Sequence, residues 1–71
     1  VMHRATSSKR LGENLKKLRT KKKMSQGDIS RKLGVDRAYI SSIENGRMNP
    51  TLTTLEKLAE AIGVNSSELL K

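Results

Sequence analysis

The segment from Gln26 to Asn45 reads QGDISRKLGVDRAYISSIEN, and its spacing decides the fold. Ile29 and Leu33 stand one helical turn apart and so bury a common face. Ser30 is small where a second helix crosses closely. Gly34 supplies the left-handed residue that ends a helix at low steric cost. Val35 tucks beneath the turn, and Ile40 and Ile43 anchor the next helix to the same core. Counted from Gln26, apolar residues fall at positions four, eight, ten, fifteen and eighteen, with glycine at nine. That is the pattern of two short helices crossing over a tight turn, a helix-turn-helix.

The same signals extend outward in both directions. Leu11, Leu15 and Leu18 fall at i, i+4 and i+7 and predict a first helix from Lys9 to Lys22. Leu52, Leu55, Leu58, Ala59 and Ile62 form the stripe of a fourth, and Leu69 and Leu70 belong to a final turn. Ser25, Asp36, Thr51 and Asn65 stand at N-cap positions, and Ser25 with Asp28 and Asn65 with Glu68 resemble capping boxes. Gly46 and Gly63 follow helical stretches, as Gly34 does. Pro50 stands before the fourth helix, where its missing N–H matters little. Asn45-Gly46 is also a hairpin signal, but the helical spacing of Ile40 and Ile43 before it argues against strands. The expected fold is all-α, a compact five-helix domain over residues 9–71 behind a basic flexible tail over residues 1–8. Asn65-Ser66-Ser67 matches a glycosylation sequon, but capping explains Asn65 better.

Length and composition narrow the function. A chain of 71 residues makes one small domain, burying only about 60% of its extended surface. It has no cysteine and one histidine, His3, so neither a disulfide framework nor a Cys/His metal site is expected. No apolar run approaches the roughly 18 residues of a membrane span, and no secretory leader is recognisable, so the expected location is cytoplasmic. No nucleophile–base pair or phosphate-cradling glycine loop points to catalysis. No cofactor or small-molecule ligand is expected either.

The charge is more telling. Fifteen Lys and Arg against seven Asp and Glu give a net +8. The first 23 residues hold nine of the cations and one anion, Glu13, whereas from Met24 onward six cations balance six anions. An excess gathered at one end is the footprint of a polyanion-binding surface, set against the plainer reading of a solvated charged face. A basic first helix also suits a membrane surface, but its stripe is three leucines wide and lacks an aromatic anchor, which favours burial in a core.

With Ile40 and Ile43 inside, Arg37, Ala38, Ser41 and Ser42 point outward from the third helix. These side chains suit base edges in a major groove: Arg pairs with guanine O6 and N7, Ser with several acceptors, and Ala with a thymine methyl. The alternatives are an ordinary solvated charge for Arg37 and neutral surface filler for the serines.

Residues 10–71, about nine-tenths of the chain, resemble the Xre/Cro-like helix-turn-helix domain of lambdoid phage repressors and Cro proteins. The resemblance rests on Leu15-Lys16-Lys17-Leu18-Arg19, Met24-Ser25-Gln26, Leu33-Gly34-Val35, Tyr39-Ile40-Ser41 and Ile43-Glu44-Asn45-Gly46-Arg47. Asn49-Pro50-Thr51-Leu52 and Leu58-Ala59 to Gly63-Val64 complete it. The run from Asp36 to Ser41 is also similar to controller proteins of restriction–modification systems. The resemblance implies phosphate contacts by Gln26, Tyr39, Asn45 and Arg47, with Ser25 beside them at the helix start, and base reading by Arg37, Ala38 and Ser42. Gln26 is otherwise a surface residue at a helix start, and Tyr39 otherwise packs its ring on the protein. Arg19 and Glu44 match a structural salt bridge between the first and third helices; the alternative for Arg19 is one more DNA-facing cation. Val64 and Leu70 match a dimer contact, with Leu69 packed inward. Gly27 inside the second helix, and Ser30 in place of the commoner Ala, depart from the pattern and suggest a soft helix.

These readings converge on a sequence-specific transcriptional regulator of bacterial or phage origin, associated with the nucleoid, binding palindromic double-stranded DNA as a homodimer. The alternative from another class is a protein-interaction module, such as an antitoxin or a fragment of a larger regulator. RNA is disfavoured, because Tyr39 is the one aromatic residue available for stacking.

Overall fold

The computed structural model describes residues 3–71, with side chains from Ser8 onward. Among these residues it is all-helical: α1 (His3–Lys21), α2 (Gln26–Leu33), α3 (Arg37–Glu44), α4 (Leu52–Ile62) and α5 (Ser66–Leu69). α1 packs on α3 and α5, α2 on α3 and α4, and α4 on α5, so the helices close a ring around one core. Leu15, Ile29, Ile40, Ile43, Leu58 and Leu69 are its fully buried side chains. They come from all five helices, which is how a chain this short assembles a common interior.

α1 begins earlier than its leucine spacing predicts. His3 to Ser8, read from sequence as tail, are helical, while Val1 and Met2 lie outside the described residues. No Gly or Pro interrupts His3 to Ser8, so nothing there stops the helix. Ser8 itself is buried and donates its hydroxyl to Asn49 Oδ1 in the loop before α4. A small polar residue at a helix start reads as tail until that distant partner is known.

The second helix starts as its sequence directs. Asp28 N–H donates to Ser25 Oγ at 3.0 Å, and Ser25 N–H donates to Asp28 Oδ2 at 2.8 Å. This reciprocal box satisfies two N–H groups at the helix start. It also holds the Asp28 carboxyl below the usual carboxylate range, chiefly through the bond from the Ser25 backbone. The box expected at α5 does not form. Glu68 N–H donates to the Asn65 carbonyl at 2.9 Å, and the Glu68 carboxylate is taken by Lys71. In a one-turn helix the backbone supplies the cap that the Asn65 side chain was expected to give. Asp36 likewise makes no side-chain cap bond, because Tyr39 N–H reaches its carbonyl. Leu52 is a further correction: it opens α4 at the margin of the stripe and stands 68% exposed.

α1 lies unusually close to α3. A Cβ built on Gly12 would stand 2.4 Å from the carbonyl oxygen of Ile43 and 2.6 Å from that of Glu44. Glycine is required there because the obstacle is backbone, which cannot swing aside. Gly46, at φ 73°, packs against Lys9 in the same way, so α1 grips both the end of α3 and the turn beyond it.

A buried ion pair locks the same junction. Arg19 Nε donates to Glu44 Oε2 at 2.7 Å and Arg19 Nη2 to Glu44 Oε1 at 3.0 Å, with the Glu44 side chain only 2% exposed. The bonds to Glu44 also raise the Arg19 pKa, so its guanidinium stays charged. Arg19 Nη1 donates to the Met24 carbonyl at 2.8 Å, which anchors the α1–α2 connection. Arg19 therefore serves structure, and it does not face solvent as one more cation.

Four outcomes are expected. Glu44→Ala strands a buried guanidinium, a loss of roughly 3–5 kcal/mol. Thermal denaturation of the free protein then shows a melting temperature lower by more than about 10 °C. Gly12→Ala is destabilising by at least about 1–3 kcal/mol through overpacking. Gly27→Ala is stabilising by about 0.5–1 kcal/mol, since its Cβ meets no backbone, only the exposed end of Arg31 and, at an ordinary contact distance, Ser25 Oγ. Opposite signs for one substitution in two helices are the check. For the capping box, the depressed Asp28 pKa means its stabilisation is complete above the unfolded carboxylate range, about pH 4, and is lost as pH falls below it. The melting-temperature gap between wild type and Asp28→Asn accordingly narrows from pH 7 to pH 3.

Candidate nucleic-acid interface

Burial of Ile40, Ile43 and Glu44 fixes the rotation of α3, so its remaining positions form the outer face. Arg37 and Ala38 are exposed there, and Ser41 and Ser42 are half-buried beside them. The four expected base-reading residues thus share one accessible surface, with short side chains that let the helix approach another body closely. No side-chain bond anchors Arg37, whose long stem reaches outward from the first turn.

The flanking residues are more constrained. Asn45 is exposed and lies one turn from Ser41, with its Nδ2 3.3 Å from Ser41 Oγ. Arg47 is exposed, and its backbone N–H donates to the Ser42 carbonyl at 2.9 Å, which ties the loop to the helix end. Ser25 is exposed, with its hydroxyl oxygen accepting the Asp28 cap bond. Tyr39 is half-buried with its ring against the core, among Leu33, Val35 and Thr54. It therefore holds the turn in place as well as bordering the face.

Gln26 is the residue whose placement sequence reasoning missed. Its Nε2 donates to Glu44 Oε1 at 3.0 Å, across the gap between α2 and α3. A single carboxylate thus receives Arg19 from α1 and Gln26 from the start of α2. The side chain is drawn to the rim of the outer face and held there. Gly12, Asn14 and Asn49 were missed as well. Asn14 Nδ2 donates to the Leu69 carbonyl at 3.0 Å and pins α5 to α1. Only Gly12 carried a signal, a glycine inside a helix, which marks close approach.

At the far end of the fold Leu69 is buried and Leu70 is 61% exposed, while Val64 is half-buried against the core. Among the described residues no helix is long and apolar enough to cross a membrane. No group of acidic and histidine side chains among them is arranged to hold a metal ion.

Comparison with known proteins places this geometry. The helix-turn-helix family matches residues 15–69. Control protein C.MunI from a Mycoplasma species is 46% identical over 61 residues, spanning 84% of this chain and 82% of the relative. The crystal structure of the restriction–modification controller protein C.AhdI from Aeromonas hydrophila superposes with a TM-score of 0.85 at 34% identity. It covers 90% of this chain and 97% of that one. Controller protein C.Esp1396I, solved as a tetramer in complex with its natural 35 base-pair operator, has a TM-score of 0.75 at 32% identity, covering 89% and 93%. Fold and sequence similarity agree, and the chain belongs to the helix-turn-helix family.

Proposed function

We propose that this protein is a sequence-specific transcriptional regulator that lays α3 in the major groove of operator DNA. The observation that carries the reading is the accessible row of Arg37, Ala38, Ser41 and Ser42, opposite the buried Ile40 and Ile43. Arg37 pairs with a guanine edge, and Ala38, Ser41 and Ser42 read neighbouring bases. Ser25, Gln26, Tyr39, Asn45 and Arg47 border that row and position it through phosphates. A relative crystallised on its operator supports DNA as the partner.

One helix of eight residues spans only a few base pairs, so two copies bind a palindrome with half-sites roughly 34 Å apart. The exposed Leu70 and the half-buried Val64 supply the contact between copies. Regulation then follows from protein concentration and operator arrangement. The protein acts by binding and not by catalysis, in the cytoplasm of a bacterium or phage host, on the nucleoid.

Arg37→Ala is expected to lower affinity for the preferred site by about 1–3 kcal/mol, roughly 5- to 150-fold, and to blur one base position. Selecting bound sites from a random duplex pool, followed by titration, measures both. Unchanged selectivity in the variant defeats the assignment of Arg37, and failure of the wild type to enrich any site defeats the regulator reading.

A further inference from the structure

Most of the chain's excess positive charge lies on α1, outside the helix-turn-helix, and the structure gives that charge two distinct edges. Gly12 and Arg19 face α3, Gly12 through its backbone approach and Arg19 through Glu44. Lys9 belongs to the same edge, since a Cβ on Gly46 would stand 3.1 Å from its Cα. Positions 9, 12, 16 and 19 step by three, four and three residues, so Lys16 lies on that edge between Gly12 and Arg19. The opposite edge carries Asn14, which bonds to α5, and with it Lys17 and Lys21 at the same helical spacing. Lys9, Lys16, Lys17 and Lys21 are all exposed. The ion pairs found among the described residues involve none of the four.

Building on the DNA reading above, we propose that Lys9 and Lys16 form a phosphate-binding rail that extends the DNA footprint along the backbone beside α3. Lys17 and Lys21 stand outside it. Lys9 sits against Gly46, in the same turn as Asn45 and Arg47, so the rail continues the rim of the reading face and is not a separate site. Lys17 and Lys21 project about a third of a turn further around the helix, away from α3, although their stems border Lys16. The rail carries no sequence information, because phosphates are the same at every base pair.

The test compares Lys9→Ala/Lys16→Ala with Lys17→Ala/Lys21→Ala in full-length protein, titrated on the selected operator duplex and on random duplex over a range of salt. All four positions are exposed and helical, where Ala is the best helix former, so both variants retain the fold. Removing the rail is expected to flatten the slope of log affinity against log salt by about 1.8 per bound copy, about 3.6 for two copies on a palindrome, at about 0.9 per phosphate contact. It weakens operator and random duplex by the same factor. The far pair leaves the slope at its wild-type value. The proposal is overturned if the far pair flattens the slope as much as the near pair, or if the near pair leaves it unchanged. Wild-type protein that binds neither duplex overturns the DNA reading itself, a result distinct from either.

Discussion

Everything that orients the reading helix converges on the Glu44 carboxylate. Its two oxygens accept from Arg19 Nε, Arg19 Nη2 and Gln26 Nε2, and through them one buried charge joins α1, α2 and α3. Isolated in an apolar interior, a carboxylate is strongly unfavourable; here its burial is offset by three directed bonds and an opposite charge. Such a pair adds little net stability compared with apolar residues of the same volume, and is better understood as a source of geometry. Isoleucines at positions 40 and 43 hold α3 against the core but tolerate sliding and rotation. The planar guanidinium of Arg19 does not, because two parallel bonds to one carboxylate set an angle as well as a distance.

Close approach of α1 makes that geometry available. Without a side chain at Gly12, the α1 backbone meets the last carbonyls of α3, and Arg19 two turns later reaches Glu44 directly. A helix so placed has one edge spoken for by structure and its outer surface left for charge. Lys9 and Lys16, on the edge toward α3, thereby place part of the α1 charge beside that helix.

The surface of α3 is correspondingly plain. Ala38, Ser41 and Ser42 are small, and Arg37 stands exposed in the first turn. The stabilising contacts lie on the opposite side or at the margins, as with Tyr39, half-buried beneath the turn, and Gln26, held at the rim by Glu44. Separation of a rigid supporting side from a polar, lightly encumbered outer side suits recognition that changes bases without changing fold.

Helix identity and the positions of the turns were determined by local chemistry that the chain writes out in order. Apolar spacing in Leu11, Leu15, Ile29, Ile40 and Ile43, left-handed glycines at 34, 46 and 63, and the Ser25–Asp28 box all act within a few residues of themselves. Arg37 and Ser42 were legible for the same reason, since burial of their neighbours sets their direction. What only the tertiary structure decided depends on partners far along the chain. Ser8 reads as tail until Asn49 meets it, Gln26 reads as a free surface amide until Glu44 accepts its bond, and Leu52 reads as core although it opens α4 outside the packed stripe. The division of the α1 lysines into two edges belongs to this second class. Helical spacing places Lys9 with Lys16 and Lys17 with Lys21, but only packing shows which pair faces α3. Local rules fix which way a side chain leaves its own helix; what stands opposite is set when the helices close around the core.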